Sequence, residues 1–205
     1  MTAAISALGP DEELIDPATF AETFSNVARG GASLGSGLRA VRPAEAAPDA
    51  AALEAAIDGA QSRSLATGLA VRLARTYCEA AAVFVVHRGI VRAIASDGCS
   101  GRFETALFLG SMPSVFARVV ASGEPYRGAP PERTLERRVL RALGRDHVEE
   151  MAVLPARVGD RILMLLYTDN GRELVSDGAF AALSVLGRRL GRAYERMILT
   201  RRHAA

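Results

Sequence analysis

The sequence predicts an α+β fold, a central antiparallel sheet of about six strands with helices on both sides. Residues 151–155 (MAVLP) and 162–167 (ILMLLY) are apolar runs joined by a polar turn at Gly159 and Asp160, the pattern of a β-hairpin. Residues 81–87 and 90–95 repeat that pattern about Arg88–Gly89. Segments with helical periodicity precede, separate and follow the two hairpins, so the strands have helices to bury them.

Residues 1–50 read as a flexible acidic segment ahead of a domain over 51–205. They hold seven acidic and three basic residues and a Gly- and Pro-containing run from Arg29 to Pro48. A short helix within 11–28 would have only Leu14, Phe20 and Phe24 as anchors. The stretch GGASLGSG at 30–37 lacks the upstream strand, the downstream helix and the Lys of a phosphate-cradling loop, and reads as a linker.

Helices follow at 51–57 and 64–78. The second carries Leu65, Leu69, Leu73 and Tyr77 every four residues, with Arg72 and Arg75 off that face. Residues 97–101 form a loop, and 103–110 fits either a short strand or a turn into a helix. A helix at 114–121 ends at Gly123, and 125–127 is a candidate edge strand. Helix 132–143 is amphipathic: Leu135, Val139 and Leu143 line one side, while Arg133, Arg137, Arg141 and Arg145 recur every four residues on another. Gly144 is its stop signal. A closing helix spans 177–200.

At 205 residues the chain is long enough for one good core. Aromatics are 5% and Trp is absent, so Ala, Leu and Val must build that core. All 25 basic residues are Arg. The net charge of +2 conceals −4 over residues 1–50 and +6 over the remainder. Nucleic acid is not the expected partner, because stacking aromatics and a recognition-helix motif are missing. Cys78 and Cys99, twenty-one residues apart, form neither a CxxC unit nor a zinc spacing, which points to a reducing, cytoplasmic setting. No apolar run approaches the roughly 20 residues of a membrane span.

No catalytic set, metal site or cofactor is predicted. His87, His147 and His203 share no spacing with one another or with a Cys. Ser96, Ser100 and Ser111 sit in expected loops without a nucleophile elbow. Asp146, Glu149 and Glu150 cluster about His147, where a solvated junction is the ordinary account and acid–base chemistry the sharper one.

The run MPSVFARVVASGEPYRG at 112–128, then EEMAVLPARVGDRILMLLYTDN at 149–170 and a long closing helix, resembles a GAF domain over about residues 62–200. Ser122, Gly123 and Pro125 match its "sG.P" element. Pro155, Gly159 and 162–166 match its later hairpin, although Arg161 and Ile162 stand where a small residue is usual. The resemblance implies a six-stranded antiparallel sheet, with the first and last helices on one side and a small-molecule pocket on the other. Phe84, Phe103, Phe108, Phe116 and Tyr126 would line that pocket or fill it. Bilin binding, sulfoxide reduction and cyclic-nucleotide binding fit poorly: Cys99 is followed by Ser100, only two cysteines exist, and the cyclic-nucleotide residue set has no place here.

The function implied is a non-enzymatic regulatory or sensory domain of bacterial signalling, acting through protein–protein interaction, with an unidentified small-molecule ligand in view. Arg133, Arg137, Arg141 and Arg145 are the candidate surface for an acidic protein partner, against the plainer reading of a solvated helix face. A homodimer is expected through Leu183, Leu190, Tyr194 and Met197 of the closing helix, with Gly187 and Gly191 permitting close helix approach. The alternatives are a roadblock-type dimeric scaffold or GTPase regulator, which would show five strands, and an enzyme of unknown class.

Overall fold

The computed structural model describes residues 49–204, with side chains to residue 201. The linker and short helix expected before residue 49, and the side chain of His203, lie outside the described residues. In chain order the elements are α1 (Ala50–Gly59), α2 (Arg63–Ala74), β1 (Ala80–His87), β2 (Ile90–Asp97), a 3-10 turn (Phe103–Thr105), β3 (Leu107–Leu109), α3 (Val115–Ser122), β4 (Tyr126–Gly128), α4 (Thr134–Leu143), β5 (Met151–Val158), β6 (Arg161–Asp169) and α5 (Asp177–Ala204).

The strands form one six-stranded sheet in the order β3-β2-β1-β6-β5-β4, antiparallel throughout. Six strands rather than five remove the roadblock alternative. Both hairpins form where the apolar runs placed them, each one to three residues longer at its ends. Arg88 and Gly89 have φ of 47° and 77°, the doubly positive turn whose twist matches that of its strands. The ambiguous segment 103–110 divides into the 3-10 turn and the short edge strand β3. Ser96, expected in a loop, lies within β2.

Alternation along the strands sends Phe84, Val91, Phe108, Val153, Leu165 and Tyr167 to one face, against Phe116, Val119, Leu135, Val139 and Leu143 of α3 and α4. The intervening residues Val83, Leu154, Met164 and Leu166 are equally buried on the face covered by α2 and α5.

On α2 the stripe through Leu65 and Leu69 is not the core face. Leu65 is 51% exposed, and the buried residues are Ala66, Thr67, Ala70, Val71, Leu73 and Ala74. The small side chains win because α2 packs against both the sheet and α5, where bulky residues would hold it off. Thr67 Oγ1 and Tyr194 OH share a hydrogen bond of 2.7 Å across that contact.

The closing helix also departs from expectation. Leu183, Leu190, Tyr194 and Met197 are all at most 8% exposed within the single chain, so their surface is consumed by α5 packing and is not offered to a second copy. Gly187 and Gly191 serve the approach of α5 to β5. A Cβ on Gly191 would collide with the Arg157 carbonyl oxygen, and one on Gly187 would lie 3.0 Å from that of Pro155. Arg189, on another flank of α5, pairs with Glu54 at 2.8 Å and with Asp58, fastening α1.

Candidate functional site

The face where a pocket was expected is occupied by three rings. Phe84 and Phe116 lie 5.1 Å apart, Phe108 and Phe116 5.3 Å, and Phe84 and Phe108 6.3 Å, all in tilted or edge geometry. All three are buried, so they fill the space between the sheet and α3 rather than line an opening. Phe103 is half-buried at the margin of this cluster. Tyr126, also marginal, donates from its hydroxyl to the Ala129 carbonyl at 2.7 Å and lies beneath the Arg118 guanidinium. Burial raises the Tyr126 hydroxyl pKa above its usual value.

Beside the rings sits a buried acid. Glu136, 1% exposed, accepts from the Val115 backbone N–H at 2.8 Å through Oε1, while Oε2 has no hydrogen-bond partner. Ser114 adds the adjacent cap, accepting from Ala117 N–H at 3.0 Å. Glu136 is the one acid within α4, set among its arginines in the sequence. It turns inward because it lies three and seven residues before Val139 and Leu143 on the buried stripe, and because the free N–H groups at the start of α3 attract a carboxylate. Arg133, just ahead of α4, and Arg137, Arg138 and Arg141 on it remain exposed, and none forms an ion pair among the described residues.

Arg145 does not belong to that stripe. Gly144, at φ 69°, ends α4, and Arg145 swings beneath the sheet to pair with Asp169 at 2.6 Å and Glu79 at 3.1 Å. Asp169 is fully buried and also accepts from Tyr167 OH and Gly171 N–H, each at 2.7 Å. Burial disfavours the Arg145 cation, but the two carboxylates overcome this and raise its pKa. Burial, then the Asp169 charge, holds the Tyr167 hydroxyl well above its usual range. Tyr167 and Asp169 lie two apart on β6 and so share a face, and Arg145, just past α4, reaches Asp169 from 24 residues earlier in the chain.

Arg145 and Glu79 of this network line a polar concavity of about 820 Å³, together with Arg75, His147, Asn170 and Arg172. Arg75 is itself committed, to Asp97 at 3.3 Å and to the carbonyls of Cys78 and Glu79. Asp146 and His147 face solvent, whereas Glu150 accepts from Arg127 at 3.0 Å and from Val175 N–H at 2.7 Å. The acidic cluster about His147 is therefore split between solvent and a structural clasp. Burial pushes the Cys78 thiol up to about 12 and the Cys99 thiol to about 11, which makes them poor nucleophiles. Among the described residues no group of three or more His, Cys, Asp or Glu is placed to hold a metal ion, and no helix is long and apolar enough to cross a membrane. With its acceptors saturated, the Arg145–Asp169 network is a brace.

No family model matches this sequence, and no curated protein does. Solved structures are similar in fold. The GAF domain of a phosphoenolpyruvate-protein phosphotransferase from Coxiella burnetii aligns over 76% of this chain and 95% of its own, at TM-score 0.62 and 15% identity. A methyl-accepting chemotaxis protein fragment aligns over 72% and 98%, at TM-score 0.62 and 13% identity. The GAF domain/HD domain protein of Geobacter sulfurreducens aligns over 70% and 98%, at TM-score 0.58 and 15% identity. Strand order, helix placement and these likenesses agree, and residues 49–204 carry the GAF fold.

Proposed function

We propose that this chain is a regulatory or sensory domain of a bacterial signalling protein, working in the cytoplasm as a non-catalytic module that engages an acidic protein partner. The observation carrying this reading is the exposed arginine face of α4, while the one acid within that helix, Glu136, is spent inside the fold. Arg137 and Arg141 lie four residues apart, a like-charge spacing that costs a few tenths of a kcal/mol and is relieved by an acidic surface. The fold is shared with domains of a chemotaxis protein and a phosphotransferase, which supports a signalling role. A homodimer fits the same role, on surfaces other than Leu183, Leu190, Tyr194 and Met197.

The test is affinity capture from an extract of the source cells with the full chain and with Arg137→Glu/Arg141→Glu. An acidic partner released by moderate salt and missing from the variant is the expected result. Equal recovery by both proteins overturns the reading. Light scattering across micromolar concentrations checks the dimer, and a monomer throughout removes it.

A further inference from the structure

Away from the aromatic core, the outer flank of α5, the edge of β5 and the loop entering β4 enclose a concavity of about 540 Å³. Gly123, Glu124, Pro125, Leu154 and Pro155 contribute to its walls, and Arg157, Arg188 and Arg192 also line it. Arg157 is anchored, donating from Nη2 to the Gly123 carbonyl at 3.1 Å. Arg188 and Arg192, one turn apart on α5, are exposed and make no ion pair among the described residues. Glu124 is the one acid in the lining, so the site carries an excess of two positive charges. Arg196, a further turn along, extends the positive stripe into a neighbouring concavity that shares Arg192.

This site has a structural origin. Because Gly187 and Gly191 let α5 lie directly on the β5 backbone, the arginines of its outer flank are brought over the sheet edge. β4 pairs only with Met151–Val153, so β5 beyond Val153 has no outer strand and leaves room beside Leu154 and Pro155. Guanidinium groups lining one groove from a helix and a strand suit oxygen anions, and the proline and leucine walls suit a carbon skeleton on the same ligand. The volume falls within the range of small-molecule sites.

We propose that this groove binds a small polyanion carrying phosphate or carboxylate groups, held by Arg157, Arg188 and Arg192. The site is independent of the α4 arginines and of the filled aromatic face.

Calorimetric titration of the full chain at low salt with pyrophosphate, citrate and poly-glutamate tests this. Saturable binding of pyrophosphate or citrate is expected, and whichever binds more tightly tells phosphate from carboxylate. Arg188→Gln/Arg192→Gln should weaken that binding about tenfold or more through loss of charge-assisted contacts. Arg137→Gln/Arg141→Gln, with the same change in net charge, should leave it within about twofold, as expected for a screened distant charge. Absence of saturable binding by either small anion, equal weakening by both double variants, or binding of poly-glutamate alone overturns the proposal.

Discussion

Arg145 and Arg188 have the same side chain in opposite surroundings. Arg145 has 12% of its side chain exposed and meets two carboxylates, one of them fully buried. Arg188 is exposed beside a concavity with a second arginine one turn away and no ion pair among the described residues. The first arginine ties β6, the start of β1 and the end of α4 into one unit. The second holds nothing in place. In an arginine-only chain, residue identity does not separate scaffold from binding surface; the supply of neighbouring carboxylates does.

The largest expected effect follows from breaking the brace. Arg145→Leu strands the buried Asp169 charge and should cost about 3–5 kcal/mol in urea unfolding. Adding Asp169→Asn should recover part of the loss, because the two residues act as a coupled pair. A single-variant cost near that of a surface substitution would erase the contrast with Arg188.

Gly191→Ala comes next. Its Cβ must push α5 away from the Arg157 carbonyl, an overpacking effect expected at about 1–3 kcal/mol. Because the same contact places Arg188 and Arg192 over the sheet edge, this variant should also weaken anion binding while leaving partner capture by α4 unchanged. A destabilised protein with undiminished anion affinity would separate the helix approach from the groove.

High pH sharpens the difference between the buried end and the surface. Cys78 titrates at about 12 in the folded chain against 9.0 for an ordinary thiol. An unfolded chain therefore loses that proton first, so the contribution is whole below pH 9 and is lost as pH rises towards 12. Tyr167, also raised, adds to the same alkaline loss above its ordinary value of 10.0. Urea midpoints measured from pH 8 upward should fall less steeply in Cys78→Ala than in the parent chain. Identical slopes would remove the thiol from the account.

The smallest effect belongs to the groove. Arg188→Gln/Arg192→Gln should change stability by no more than about 0.5 kcal/mol, the usual scale of surface substitutions. A substantial loss in the unfolding midpoint would mean that these side chains, too, belong to the scaffold.

Hairpin positions, the C-cap signals at Gly123 and Gly144, the long closing helix and the GAF-like order were legible because each is written in local periodicity or turn chemistry. Local pattern could not decide between competing apolar faces of α2, where close approach favoured Ala66, Ala70 and Ala74 over Leu65. It also could not show that Glu136 and Arg145, two members of one charged helix pattern, leave for separate buried partners. Those partners come from α3, β1 and β6, far away in sequence. The groove of Arg157, Arg188 and Arg192 was equally hidden, since its members join only when α5 settles on β5. What the sequence determined by itself is the two hairpins, the main helices and their order, because those depend on neighbours along the chain. Tertiary structure alone decided which charges are spent on the fold and which remain available, because pairing depends on neighbours in space.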